Sequence, residues 1–172
     1  MRPTSIVLLL TLLLHSCGTD SGPQETSTIV TDSLHFVNEQ RCLLRWKRHS
    51  TDSAMACVAR AEAIAQRMGA AWAVEKAEEL RANVLIARND TSAIGYCRAL
   101  LDARRDAGPR ALGTAHLQLG EAYTAWARYP EAIAEFGQVR VIAEQHGIPS
   151  LLVNALADLS AVYNNAGHSP QA

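Results

Sequence analysis

An all-α array of stacked helical hairpins is the fold class that this sequence predicts, and three observations carry it. Gly69, Gly108 and Gly147 recur 39 residues apart, each preceded by a helix-like stretch and followed by another. The same offset carries Ala54 onto Ala93 and Ala132, Val58 onto Cys97 and Phe136, Ala61 onto Leu100 and Val139, and Ile64 onto Ala103 and Ile142. Alanine is the commonest residue and aromatics are few, as expected where helices approach closely and small residues let their backbones pack. A unit of this length is a helix-turn-helix that cannot bury its apolar face alone, so it must stack on its neighbours.

The elements run in order along the chain. Residues 33–48 read as the first helix. Over 52–68, Ala54, Val58, Ala61, Ile64 and Ala65 fall three or four apart on one face, Asp52 or Ser53 caps the start, and Gly69 supplies a left-handed turn at the end. The next helix covers 71–88 and turns Trp72, Ala73, Ala77, Leu80 and Val84 inward. Asp90 caps another over 91–107, before Gly108-Pro109. A further helix spans 110–127, with Leu112, Leu119, Ala122 and Tyr123 toward the core. Pro130 opens the next at a first-turn position, where its missing N–H is not needed, and Gly147 ends it. The last begins after Pro149 and reaches about residue 165, with Gly167 beyond it.

Ahead of the array, residues 1–17 read as a secretion signal: Met1-Arg2 is a short basic start, and 6–14 is an apolar run broken only by Thr11. That run is about half of the roughly 20 apolar residues a spanning helix needs. Residues 18–32, rich in Gly, Ser and Thr and interrupted by Pro23, read as a flexible tether reaching about 20 Å by random-coil scaling. The array itself is expected over 33–172, as about three and a half units with the last incomplete, because Ser169-Pro170-Gln171-Ala172 mirrors Tyr129-Pro130-Glu131-Ala132.

A formal net charge of −1 gives no bulk field toward nucleic acid or an acidic membrane, so no nucleic-acid partner is expected. The six histidines form no HExxH, and no pair of ligands lies one helical turn apart; no metal is expected. The chain has no GxSxG elbow, no phosphate loop and no dinucleotide fingerprint, so neither an enzyme nor a cofactor is expected. Glu75, Glu78 and Glu79 sit among Lys76 and Arg81, which reads as a salt-bridged surface. Arg45, Lys47, Arg48 and His49 complement the dipole at a helix end. Cys42, Cys57 and Cys97 form no CxxC and no pair close in sequence. One bridge is conceivable in an oxidising envelope, but unpaired, mostly buried thiols are the expectation, with Cys97 a small core hydrophobe.

Two stretches resemble known families. Leu14-His15-Ser16-Cys17 is similar to the lipobox of bacterial lipoproteins, in which an aliphatic residue at −3 and a small residue at −1 precede the cysteine that becomes the lipidated N-terminus. Leu14 and Ser16 match, and His15 departs from the pattern. The resemblance implies a lipid anchor at Cys17 on the periplasmic side of a bacterial envelope. Gly18 in place of an inner-membrane retention Asp points to the outer membrane where there are two. The alternative is cleavage by an ordinary signal peptidase near Ser16 or Gly18.

Leu119-Gly120, Tyr123, Ala127, Tyr129, Ala132, Phe136 and Val139 resemble a tetratricopeptide repeat. Leu159-Ser160, Tyr163, Gly167 and Ala172 continue it one residue out of step, and Leu80-Arg81, Val84, Ala93 and Cys97 occupy the same columns upstream, with Arg81 in place of the small residue. The resemblance implies a right-handed α-α superhelix whose first helices line a concave groove for an extended peptide or a partner helix. Carried onto this chain, the groove positions are Glu75, Glu78, Ala82, Leu85 and Ile86; Thr114, Leu117, Glu121, Thr124 and Ala125; and Asn154, Ala157, Ala161, Asn164 and Asn165. The Lys and Arg ring of the members that clamp carboxylates is missing from these columns. The function implied is that of a non-catalytic adaptor. The alternative is the sensory front of a sensor kinase or a transcriptional regulator whose effector lies beyond residue 172.

Overall fold

A computed structural model describes residues 31–40, 42 and 50–167, and these are all-α, with no strand among them. Helix α1 includes residues 31–40. It is followed by α2 (Thr51–Met68), α3 (Ala71–Ala87), α4 (Ala93–Ala103), α5 (Pro109–Ala125), α6 (Tyr129–His146) and α7 (Pro149–Gly167). The signal, the lipobox cysteine, most of the tether and the basic run at 45–49 lie outside the described residues. Thr31 and Asp32, which the sequence assigns to the tether, are already helical, and Asp32 accepts a 2.8 Å bond from Arg67 of α2.

Residues with positive φ, Gly69, Asn89, Gly108, Ala127 and Gly147, punctuate the chain at nearly even intervals. Gly69 and Gly147 close α2 and α6 with φ of 60° and 61°, returning their amides to carbonyls of the last turn. Between them, Asn89 (φ 51°) and Ala127 (φ 53°) end α3 and α5. Each makes the same pair of bonds. Asn89 N–H donates to Ile86 and Asp90 N–H to Leu85, just as Ala127 donates to Thr124 and Arg128 to Tyr123. Asparagine adopts that conformation readily and alanine only at a cost, which is why periodicity alone did not single out Ala127.

Two starts differ from expectation. Ser50, rather than Asp52 or Ser53, caps α2, its Oγ accepting the Ser53 amide at 3.3 Å. Asp90 shapes the turn before α4 by accepting from Ser92 N–H and Oγ, bonds that hold its carboxyl below the ordinary range. Helix α4 also stops at Ala103, four residues early. Arg104 then turns inward and is 5% exposed, in the column that holds buried Ala65 and Ala143 in the neighbouring units. Its Nη2 donates to the Glu75 carbonyl at 3.1 Å and to Glu78 Oε2 at 2.7 Å, tying α4 back to α3.

Successive helices pack on one another, and α3, α5 and α7 also touch in series, a contact that the alternate helices α2, α4 and α6 do not match. The first core joins Phe36 to the inner faces of α2 and α3; the second is built around Leu119, Tyr123, Phe136 and Val162; the third holds Val139, Ala143, Ile148, Leu151 and Ala155. The repeating columns are buried throughout, except that Ala103 is exposed and Ile142 is half-buried. Trp72 is a correction: it lies 54% exposed, edge-on to Phe36 with ring centroids 5.7 Å apart. Leu112 is only half-buried.

A second correction concerns the cysteines. Cys42 and Cys57 form a disulfide, with Cα atoms 6.1 Å apart, while Cys97 is free and buried. The pair is distant in sequence but faces across the α1–α2 hairpin. Closing a loop of this size restricts the unfolded chain by roughly 3 kcal/mol. Cys97 is the core hydrophobe the columns imply, its thiol pushed up to about 12 by burial.

Helices α5 and α6 approach closely at Gly120. A Cβ on Gly120 would lie 2.5 Å from Phe136 Cε1 and 2.8 Å from Cδ1. Gly120→Ala is therefore expected to force the helices apart and to destabilise the fold by about 1–3 kcal/mol, read as a lower midpoint in thermal denaturation. An unchanged midpoint would contradict this packing.

Candidate functional site

A cavity of about 530 Å³ opens where α3, α5 and α7 run side by side. Helix α3 contributes Asn83, Ile86 and Ala87, α5 contributes Glu121, Thr124 and Ala125, and α7 contributes Asp158, Ala161 and Val162; the Phe136 ring lies beneath. The volume falls within the roughly 300–1,000 Å³ range of ligand sites, and the lining is mostly apolar with a few convergent polar groups. Thr124 donates its hydroxyl back to the Gly120 carbonyl at 2.9 Å, so it faces the cavity as an acceptor. Gln118 fixes the spacing of two walls by donating from α5 to the Glu79 carbonyl of α3 at 3.2 Å.

The electrostatics of the cavity differ from those of the remaining surface. Within the cavity Glu121 is engaged with the protein, and half-buried carboxylates outside it also have partners, which are basic in all cases but one: Asp32 with Arg67, Glu39 with Arg60, Glu62 with Arg81, Glu78 with Arg104, Glu79 with Lys76, Glu131 with Arg128, and Glu135 with His116. The exception is Asp90, which Ser92 holds. Glu62 holds the Arg81 guanidinium above its ordinary pKa through their hydrogen bonds. Both charged groups lining the cavity are acidic. Asp158 is half-buried and has no hydrogen bond or ion pair with any described residue; burial alone raises its carboxyl above the ordinary range.

The groove positions implied by the sequence divide. Glu121 and Thr124 line the cavity, together with Ile86, Ala125 and Ala161. Thr114 and Glu75 line a separate 260 Å³ depression with Trp72, Arg104 and Arg110. Glu78 turns to Arg104 and borders a third recess beside Glu62 and Tyr96. Leu117 packs between the second and third cores, Ala82 is fully buried, and Leu85 is half-buried outside the cavity lining. Asn154, Ala157, Asn164 and Asn165 are exposed on α7 and line none of these recesses. Asn83, Ala87, Phe136, Asp158 and Val162 complete the cavity and were missed. Asp158 occupies on α7 the column of Gln118 on α5, displaced by the same extra residue as Leu159, and that column was not among the groove positions.

Among the described residues, one cluster has metal-ligand chemistry. A Glu39 oxygen and the sulfurs of Cys42 and Cys57 lie within 4.8 Å of one another. The sulfurs are spent on their mutual bond, and the Arg60 guanidinium lies 3.5 and 3.4 Å from them while also pairing with Glu39. A positive charge in that place opposes a cation. His116 Nδ1 meets Glu135 Oε2 at 2.6 Å, a contact that joins α5 to α6. No protein-family model, curated protein or solved structure matches the chain.

A raised carboxyl pKa means that the fold favours the protonated acid. The contribution of Asp158 to stability is thus complete below its unfolded pKa and is lost as pH rises through its folded pKa. Asp158→Asn is expected to raise the melting temperature at pH 7 and to leave it unchanged near about pH 3. A lower melting temperature at pH 7, or the same shift at both values, would contradict the burial described.

Proposed function

We propose that this chain is a non-catalytic, tetratricopeptide-like adaptor. It is a right-handed α-α superhelix that holds a peptide or a helix of another protein in its concave groove, tethered to a bacterial envelope. The observation that carries this reading is the cavity walled by α3, α5 and α7, the first helices of three successive units. The meeting of Gly120 with Phe136 supports it, because these are the residues that the family's small and aromatic columns would bring together. A mostly apolar lining suits side chains of a bound segment, and Asn83 and Thr124 offer polar atoms to its backbone.

The proposed location is the periplasmic side, with a lipid on Cys17 as the anchor and the outer membrane as its site where two are present. A bridge between Cys42 and Cys57 supports export, since disulfides persist in oxidising compartments.

Random 12-residue peptides displayed on phage and selected on the protein test the groove. Selected peptides are expected to lose at least about tenfold in affinity on Ala161→Trp, which fills the cavity, and to be unaffected by Ala99→Trp on exposed α4. Peptides that bind Ala161→Trp as well as the parent would contradict a groove site. Cys17→Ser is expected to move the protein from the membrane fraction to the soluble one. Continued sedimentation with membranes would rule out the lipid as the sole attachment.

A further inference from the structure

The groove has an uneven chemistry. Ile86, Ala125, Ala161 and Val162 share the lining with two carboxylates, Glu121 from α5, which is engaged within the protein, and Asp158 from α7; no described lysine, arginine or histidine lines the cavity. Asp158 also stands apart from the half-buried acids outside the cavity, which are matched to basic partners or, for Asp90, to Ser92. Burying a carboxylate without a counter-charge costs stability, and the cost is recovered when a cation arrives. Lysine and arginine carry their charge at the end of an aliphatic stem that packs on apolar surface, which is the arrangement this lining complements.

We propose, on the groove reading above, that the cavity recognises a basic residue in an apolar segment of a partner protein. The Lys or Arg stem lies along Ile86 and Val162, and its charged head meets Asp158 and Glu121 between α5 and α7. The acidic lining also sets a direction of selection: a carboxylate-bearing segment entering the same space meets two like charges and is repelled.

Three 11-residue peptides of Ser, Ala and Leu, identical except for a central Lys, Met or Glu, provide the probe, with spermidine as a small polycation. Each is titrated into the ¹⁵N-labelled protein, and amide shifts are followed. The Lys peptide is expected to move amides at 83–87, 121–125 and 158–162 and to bind about tenfold more tightly than the Met peptide, with the Glu peptide weakest. Asp158→Asn is expected to remove that advantage, so that the Lys and Met peptides bind alike. If the Met or Glu peptide binds at these amides as tightly as the Lys peptide, the charge inference fails and the groove reading stands. If spermidine moves these amides and no peptide does, a small polycation replaces the protein segment and the inference fails. Shifts elsewhere, or none with any probe, also overturn it, and the phage selection decides separately whether the groove binds peptide.

Discussion

The structure depends on one missing methyl group. Gly120 lets the face of α5 lie directly against the Phe136 ring, which is 1% exposed and packs with Leu119, Tyr123 and Val162. That approach fixes the distance between α5 and α6, and α7 then closes on both. The ring also forms the bottom of the cavity, so one contact sets the packing of the best-formed unit and the depth of its candidate site. Tyr123 is held from outside by Arg98, whose Nη2 donates to its hydroxyl at 2.7 Å, and by Arg128 over its ring at 4.8 Å. Such contacts leave the second core little freedom to repack around an added carbon.

The upstream unit lacks that contact and is built differently. There the small and aromatic columns carry Arg81 and Cys97, and α3 touches α4 over much less of its length than α5 touches α6. The chain compensates with charge. Arg81 reaches back to Glu62 on α2 with a two-pronged pair, and buried Arg104 links α4 to the Glu75 carbonyl and the Glu78 carboxylate. The same substitution of ion pairs for apolar contact explains why Glu78 does not line the cavity: its carboxylate is needed to neutralise a guanidinium in an alanine column.

The regular part of this fold was legible because it is written in spacing. Helix order, the glycine turns and the buried columns derive from one 39-residue period and from apolar residues three or four apart. What was not legible depends on contacts across helices. The Cys42–Cys57 bridge needs α1 and α2 to bring distant positions together, and Trp72 lies half in solvent with its ring at right angles to the buried Phe36 ring. Ala127 hides a left-handed turn behind a residue type that does not announce one. At the candidate site, Glu121 and Thr124 line the cavity at positions that the tetratricopeptide resemblance implied. Asp158 was missed because it is not among the columns that the resemblance carries onto α7. Its proposed role rests on the absence of a basic partner among the described residues, which no spacing rule reveals.

A double-mutant cycle between Gly120→Ala and Phe136→Leu tests the central contact most directly, with stability measured by urea denaturation. The added methyl is expected to cost much less in the Phe136→Leu background than in the parent, giving a coupling of at least about 1 kcal/mol. Additivity within roughly 0.5 kcal/mol would mean that the two residues do not meet as described, and the packing on which the groove rests would have to be rebuilt.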